Sequence, residues 1–174
     1  SGNTGDSIRA ATAVGAEVMN MQSTWAAPVF YIPGELGGRL CTIERALPGC
    51  IMVNQKGERY WNEASSYHVT GQAMARRQAE HGDASPSWMV FDGTYPKSFP
   101  MGPVYPGWPD ALLSAAVKTI LKRGRTIEEL AHEMGVHPTA LSATVARFNQ
   151  GAEKGEDPDF HRGQHRHGSR RHSL

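Results

Sequence analysis

The chain lacks most features that assign a protein to a class at once. Only two of its 174 residues are cysteine, and Cys41 and Cys50 suit neither a zinc site nor a disulfide framework. No apolar run approaches the roughly 20 residues of a membrane helix, and no charged start followed by an apolar core marks a signal peptide. We therefore expect reduced thiols, no metal site and a cytoplasmic location.

Nucleotide-binding fingerprints are also missing. Neither Gly-x-Gly-x-x-Gly after a strand nor Gly-x-x-x-x-Gly-Lys occurs in the sequence. The chain instead opens on a glycine-rich segment that leads into a helix of small and apolar residues, from about Ser7 to Met19. Because no initiator methionine precedes this segment, we expect a piece of a longer protein, which would not bind a nucleotide alone.

Acidic residues are absent from the last 14 positions. His161 to Leu174 carries four arginines and four histidines, without an apolar period that would allow burial. We expect an exposed, disordered basic tail over 161–174. Metal binding through His161, His165 and His167, or attraction to nucleic acid or an acidic surface, is the alternative.

Residues 50–61 predict a β-hairpin. Cys50 to Asn54 is apolar and β-prone, residues 55–57 are turn-like, and Glu58 to Trp61 has the composition of a second strand. A further central strand is predicted at Ser87 to Asp92.

Tyr67 carries the strongest candidate chemistry. Ser65 or Ser66 caps a helix whose apolar period runs from Val69 onward, so Tyr67 lies in its first turn. Unpaired amides and the positive end of the helix dipole favour a phenolate there. A packing role for Tyr67 is the alternative.

A proline-rich stretch follows the predicted strand at 87–92. Its five prolines alternate with Tyr95, Phe99, Tyr105 and Trp108. Such a stretch does not form regular structure, but its rings can wall a pocket. A surface loop pinned by its aromatic residues is the alternative.

Two helices near the end of the chain match helix-turn-helix spacing. Thr126 and Glu129 form a capping box for a helix that ends at Gly135, and Pro138 opens a second helix. The second helix begins His-Pro-Thr-Ala rather than with base-reading side chains, and the acidic first helix would repel phosphate. A nucleic-acid-binding module over 126–148 stays open as an alternative function, as does a carrier of hydrophobic ligands without chemistry.

Several motifs follow one another along residues 1–163. They are Asn3-Thr4-Gly5-Asp6-Ser7-Ile8, Val53-Asn54-x-x-Gly57-x-Arg59-x-x-Asn62-Glu63, Phe91-Asp92, Thr126-x-Glu-Glu-Leu-Ala and Gly155-x-Asp157-x-Asp159-Phe160-x-Arg162-Gly163. In this order they resemble the fumarate reductase and succinate dehydrogenase flavoprotein superfamily. The segment from Asn62 to Tyr67 is most similar to the 3-ketosteroid dehydrogenase branch.

The resemblance implies an α+β fold, with a small mixed or antiparallel sheet and flanking helices, of the cap-domain type. Residues 1–27 would then be a remnant of the FAD-binding domain, and residues 28–160 the cap or substrate domain. The rest of the FAD-binding domain is an implied partner, with FAD bound in the full-length parent. The implied cofactor contacts are Thr4, Gly5 and Asp6.

One position near the start departs from the family pattern. Ser7 stands where the flavin loop of the family usually has a second glycine, in Gly-Asp-Gly. A side chain at this position weakens the expectation of a close approach to the cofactor.

The resemblance also implies an activity. In the ketosteroid branch, the tyrosine that matches Tyr67 removes a proton next to a carbonyl while hydride leaves for the flavin. A free tyrosine has a pKa of about 10, so this role needs a nearby group that favours phenolate. Pro96 stands where fumarate reductases carry an arginine, which argues against a dicarboxylate and for a steroid-like substrate. The substrate contacts implied for a flat apolar ligand are Trp61, Tyr95, Phe99 and Trp108.

Overall fold

The computed structural model describes residues 2–21 and 23–163, in which helices flank short antiparallel strands. The helices are α1 Asp6–Ala13, α2 Tyr67–His81, α3 Tyr95–Ser98, α4 Ala115–Ile120, α5 Ile127–Met134 and α6 Pro138–Lys154. The strands are β1 Val29–Phe30, β2 Arg39–Leu40, β3 Cys50–Val53 and β4 Trp88–Phe91. β1 pairs with β2 and β3 with β4, both antiparallel, which confirms the α+β class.

The partner of β3 differs from the predicted one. β3 pairs with β4, in a register that sets Ile51 opposite Val90, so the predicted hairpin of residues 50–61 was wrong. The other edge of β3 is occupied by side chains instead of a strand. The Met52 amide donates to Glu63 Oε1 at 3.2 Å, and Arg162 Nη1 donates to the Cys50 carbonyl at 2.6 Å.

The main core lies between the β3–β4 pair and helices α5 and α6. Its buried members are Ile51, Val53, Val90, Ala131, Met134, Val136, Leu141, Val145 and Phe148. The Thr144 hydroxyl also donates to the Gly57 carbonyl at 2.7 Å, which ties α6 to the turn after β3. α6, the helix that would read DNA in the alternative function, thus packs into the core, and nucleic-acid binding is not supported.

The predicted helix signals of this region are confirmed. The Glu129 amide donates to Thr126 Oγ1 at 3.1 Å, α5 is followed by Gly135 in a left-handed conformation, and Pro138 begins α6.

A second core lies on the other side of the β3–β4 pair, under the proline-rich stretch. Its buried members are Cys50, Tyr95, Met101, Val104, Leu113 and Val117. Part of this stretch is regular, because α3 and a bridge between Met101 and Val104 lie within it. Both cysteines are free and buried, and burial raises the pKa of the Cys50 thiol to about 11.

The first 20 described residues lie outside both cores. α1 contains no buried residue and is shorter than the predicted helix, because the chain turns at Val14 and Gly15, whose φ is +91°. No described helix has the length and apolar character that crossing a membrane would need.

The start of the predicted basic tail is part of the packed structure. The Arg162 side chain is 10% exposed and donates to the backbone carbonyls of Leu47 and Cys50, both at 2.6 Å. Tail residues 164–174, with His165 and His167, lie outside the described residues.

Candidate active site

Tyr67 is the first residue of α2, as the sequence predicted. Ser66 caps the helix, since its hydroxyl accepts a hydrogen bond from the Val69 amide at 3.4 Å and its carbonyl accepts one from the Thr70 amide at 3.0 Å. The Tyr67 side chain is 37% exposed. A phenol at this place lies beside the positive end of the helix and is open to a ligand.

The ring of Tyr67 stacks on Trp25. The ring centroids are 5.9 Å apart and the planes differ by 20°. On the next turns of α2, Gly71 and Arg76 face Ser23, Thr24 and Ala26 across an open groove of about 310 Å³. The segment that carries Trp25 therefore runs alongside the first turns of α2, with Trp25 against Tyr67.

Gly71 sets the distance between α2 and this wall. A Cβ at this position would lie 2.5 Å from the Ala26 carbonyl oxygen, which is too close for any real contact. Alanine is otherwise the better helix former by about 1 kcal/mol. The absence of a side chain thus permits a contact between two backbones.

We expect Gly71→Ala to lower the free energy of unfolding by about 1–3 kcal/mol, because the added methyl forces Ala26 away. Urea unfolding of the chain measures this loss. The exposed neighbour Gln72→Ala is the control and should stay within about 0.5 kcal/mol. A Gly71→Ala variant more stable than the parent would mean that this contact does not form.

The turn before Tyr67 is fixed by its own hydrogen bonds. Asn62 Oδ1 accepts from the Ala64 amide at 2.8 Å, and the Asn62 carbonyl accepts from the Ser65 amide at 3.0 Å. The Asn62 amide group also donates to the Phe160 carbonyl at 2.9 Å. The loop that positions Tyr67 is therefore joined to the last described turn of the chain.

A buried ion network, formed by Arg59, Glu63, Asp157 and Arg162, lies beneath this turn. Arg59 donates to Glu63 at 2.7 and 2.8 Å and to Asp157 at 2.8 and 3.0 Å. Arg162 lies 3.6 Å from Glu63, and the Arg59 guanidinium stands 4.9 Å from the ring centroid of Phe148. Fork-shaped pairing of this kind satisfies both carboxylates inside the protein.

The network shifts the pKa values of Asp157 and Arg59. Burial alone would raise the pKa of the Asp157 carboxyl, but the hydrogen bonds and charge of Arg59 outweigh it and lower that pKa. Burial likewise opposes the charge on Arg59, whose pKa is nevertheless raised by its bonds to Glu63 and Asp157. The charged forms of Asp157 and Arg59 are thus both favoured by their pairing.

The four aromatic residues expected to contact substrate do not form one cluster. Tyr95 is 1% exposed, and its hydroxyl donates to the Glu44 carbonyl at 2.7 Å, which is a packing role. Phe99 packs on Tyr95 with ring centroids 5.2 Å apart, and Trp61 is buried against Tyr60. Trp108 is 43% exposed and packs on Tyr105.

The expected cofactor residues Thr4, Gly5 and Asp6 are all exposed, at the start of α1. Gly5 has φ +81° with open space around it, so a ligand can approach the backbone and the free amides of the first turn. The Asp6 carboxylate accepts from the Thr4 hydroxyl at 2.9 Å and also pairs with Arg9. This geometry fits one edge of a cofactor cradle.

Sequence reasoning missed Arg45. Its guanidinium is 2% exposed and donates to the carbonyls of Glu63 and Ser65, the latter at 2.8 Å. No motif or periodicity includes Arg45, and only its position before an apolar strand distinguishes it from a surface arginine.

The fold and these motifs together are those of FAD-dependent oxidoreductases. The chain belongs to the family described as FAD binding domain, whose model matches residues 1–171. The predicted resemblance is thereby confirmed.

Two curated relatives are similar over nearly the whole chain. The 4-oxocyclohexanecarboxylate 2-dehydrogenase of Sinomonas cyclohexanicum is 35% identical over 168 residues, or 93% of this chain and 28% of the relative. The 3-oxosteroid 1-dehydrogenase of Mycobacterium tuberculosis is 35% identical over 171 residues, or 94% of this chain and 29% of the relative. The chain thus spans less than a third of the length of these proteins.

Solved structures agree in fold. The 3-ketosteroid delta1-dehydrogenase of Sterolibacterium denitrificans, in complex with 1,4-androstadiene-3,17-dione, superimposes with a TM-score of 0.80 at 40% identity. That match covers 94% of this chain and 29% of the solved one. The open conformation of a flavocytochrome c3 fumarate reductase gives a TM-score of 0.64 at 23% identity and covers 98% and 26%, which shows the shared fold alone.

Proposed function

We propose that this chain is the cap portion of an FAD-dependent dehydrogenase that forms a double bond α,β to a ketone in a steroid-like substrate. The observation that carries the proposal is the position of Tyr67, exposed at the capped start of α2 and stacked on Trp25. The 40% identity to the 3-ketosteroid dehydrogenase structure supports the same class of substrate.

Tyr67 acts in this reaction as the general base. Its phenolate oxygen takes the proton from the carbon next to the ketone, and the electrons of that C–H bond form the new double bond as hydride leaves the neighbouring carbon. When bound, FAD supplies the acceptor for this hydride. The Trp25 ring stacks on the phenol and so limits its orientation.

The division of the chain follows from this proposal. Residues 1–27 contribute to the FAD side, where Thr4, Gly5 and Asp6 would contact the cofactor, and residues 28–160 form the cap. The lack of any buried residue in α1 supports a separate role for the first segment. A location in the cytoplasm stays a prediction.

Two of the four aromatic residues remain as substrate contacts in this proposal. Partial exposure supports Phe99 and Trp108 as contacts for a flat apolar ligand. The burial of Tyr95 and Trp61 supports packing behind that surface.

A hybrid enzyme tests the function. In it, this chain replaces the matching segment of the Mycobacterium tuberculosis 3-oxosteroid 1-dehydrogenase, and flavin content, flavin reduction and product are measured with a 3-ketosteroid. We expect the flavin-loaded hybrid to form the conjugated enone, whereas this chain alone forms none. A flavin-loaded hybrid that binds the ketosteroid without desaturating it would favour the carrier function instead.

A further inference from the structure

Arg45 differs from the neighbouring arginines, Arg59 and Arg162, in what it binds. Arg59 and Arg162 lie against carboxylates, whereas Arg45 donates only to backbone carbonyls and has no ion pair within 4 Å among residues 2–21 and 23–163. Burial lowers the pKa of its guanidinium, because the charged form loses its contact with water. Burying this charge therefore costs free energy, which the hydrogen bonds to the two carbonyls offset.

The two carbonyls that Arg45 holds belong to Glu63 and Ser65. They lie on either side of Ala64, in the turn directly before the cap of α2. One nitrogen, Nη1, donates to both, so it fixes the path of the backbone over three residues. The next residue is the cap Ser66, and the one after it is Tyr67.

Arg45 therefore holds the backbone directly before α2. The 3₁₀ turn Glu44–Ala46 that carries it packs around Cys50, whose Sγ lies 3.4 Å from the Glu44 carbonyl oxygen and 3.5 Å from that of Arg45. Arg45 thus contacts both Cys50 of β3 and the turn before Tyr67. Displacing a catalytic group by about 1 Å can lower a rate about 100-fold.

We propose that Arg45 is a positioning residue for Tyr67, an inference that rests on the function proposed above. Arg45 does not touch substrate or cofactor in this role. It holds the start of α2 so that the phenol oxygen meets the substrate proton.

The test uses Arg45→Met and Arg45→Lys in the hybrid enzyme. Methionine keeps the length of the apolar stem and removes the donors, so kcat should fall about 10- to 100-fold while KM and flavin content stay within about threefold. In Arg45→Lys the positive charge is kept, so this variant should fold, but the lysine amine lies one bond closer to the backbone than Nη1 does. We therefore expect its kcat to fall about three- to tenfold. Arg147→Met, which removes an exposed ion pair with Asp159, is the control and should keep full activity.

A second readout does not depend on turnover. In this chain alone, amide hydrogen exchange at Val69 and Thr70 reports the two bonds to Ser66 that start α2. We expect exchange at both amides to rise about tenfold in Arg45→Met, because the turn that carries Ser66 loosens.

The outcomes separate the two proposals. If Tyr67→Phe leaves turnover unchanged, the proposed function fails, whatever Arg45 does. If Tyr67→Phe removes turnover but either Arg45 variant keeps kcat within about twofold at full flavin content, the positioning role alone is overturned. Lower stability with unchanged kcat per bound flavin would also overturn it, since that pattern is a purely structural effect.

Discussion

Tyr67→Phe is expected to lower turnover of a 3-ketosteroid by the hybrid enzyme about 100- to 10,000-fold, which is the usual contribution of a general base. Phenylalanine keeps the ring that stacks on Trp25 and loses only the hydroxyl, so flavin content and KM should change little. Steady-state kinetics per bound flavin measures the loss. Exchange of the substrate proton next to the ketone should fall in parallel, because this exchange depends on the base alone.

Tyr31→Phe is the matched control. Its hydroxyl lies on a side chain that is 72% exposed, so its loss should leave kcat within about twofold. Turnover by Tyr67→Phe within a few-fold of the parent would show that another group removes the proton.

Asp157→Asn should lower the free energy of unfolding by about 3–5 kcal/mol at neutral pH. The Asp157 side chain is 2% exposed and accepts from Arg59 at 2.8 and 3.0 Å. Neutralising it leaves Glu63 as the one carboxylate in the network for Arg59 and Arg162, so a buried positive charge is left without its partner. Urea unfolding of the chain at pH 7 measures the difference.

Asp159→Asn is the control two residues away, because its ion pair with Arg147 is exposed on the arginine side and should contribute less than about 1 kcal/mol. The effect also has a pH signature. Since the pKa of Asp157 is lowered in the folded state, its stabilisation is fully present above the unfolded pKa of about 3.9 and is lost as pH falls through the folded value. The gap between parent and Asp157→Asn should therefore shrink below about pH 4, and a gap that is constant with pH would contradict the role of the charge.

Local signals predicted local structure well. The serine before Tyr67, the threonine at 126 and the proline at 138 each start a helix where the sequence expected one, because a cap depends on residues within one turn. The partner of β3 was not predictable in the same way. Its apolar residues indicate a strand, but β4 begins 35 residues after β3 ends, and alternation does not specify a partner.

In the candidate site, too, local features were predictable from the sequence and long-range contacts were not. Tyr67 was found because its motif and its helix start are contiguous in sequence. Arg59 and Asp157 lie 98 residues apart, and the pattern of either segment gives no sign of the other. Tyr95 illustrates the opposite error, since an aromatic residue beside prolines suits a pocket wall and a core equally until its burial is known.

The side chains that cover the outer edge of β3 also lower the tendency of the chain to aggregate. An uncovered edge of a buried strand is a template for pairing with another molecule and so for aggregation. Glu63 and Arg162 block that edge by taking the Met52 amide and the Cys50 carbonyl. Two side chains of the buried ion network thereby also disfavour pairing of two copies of this chain strand to strand.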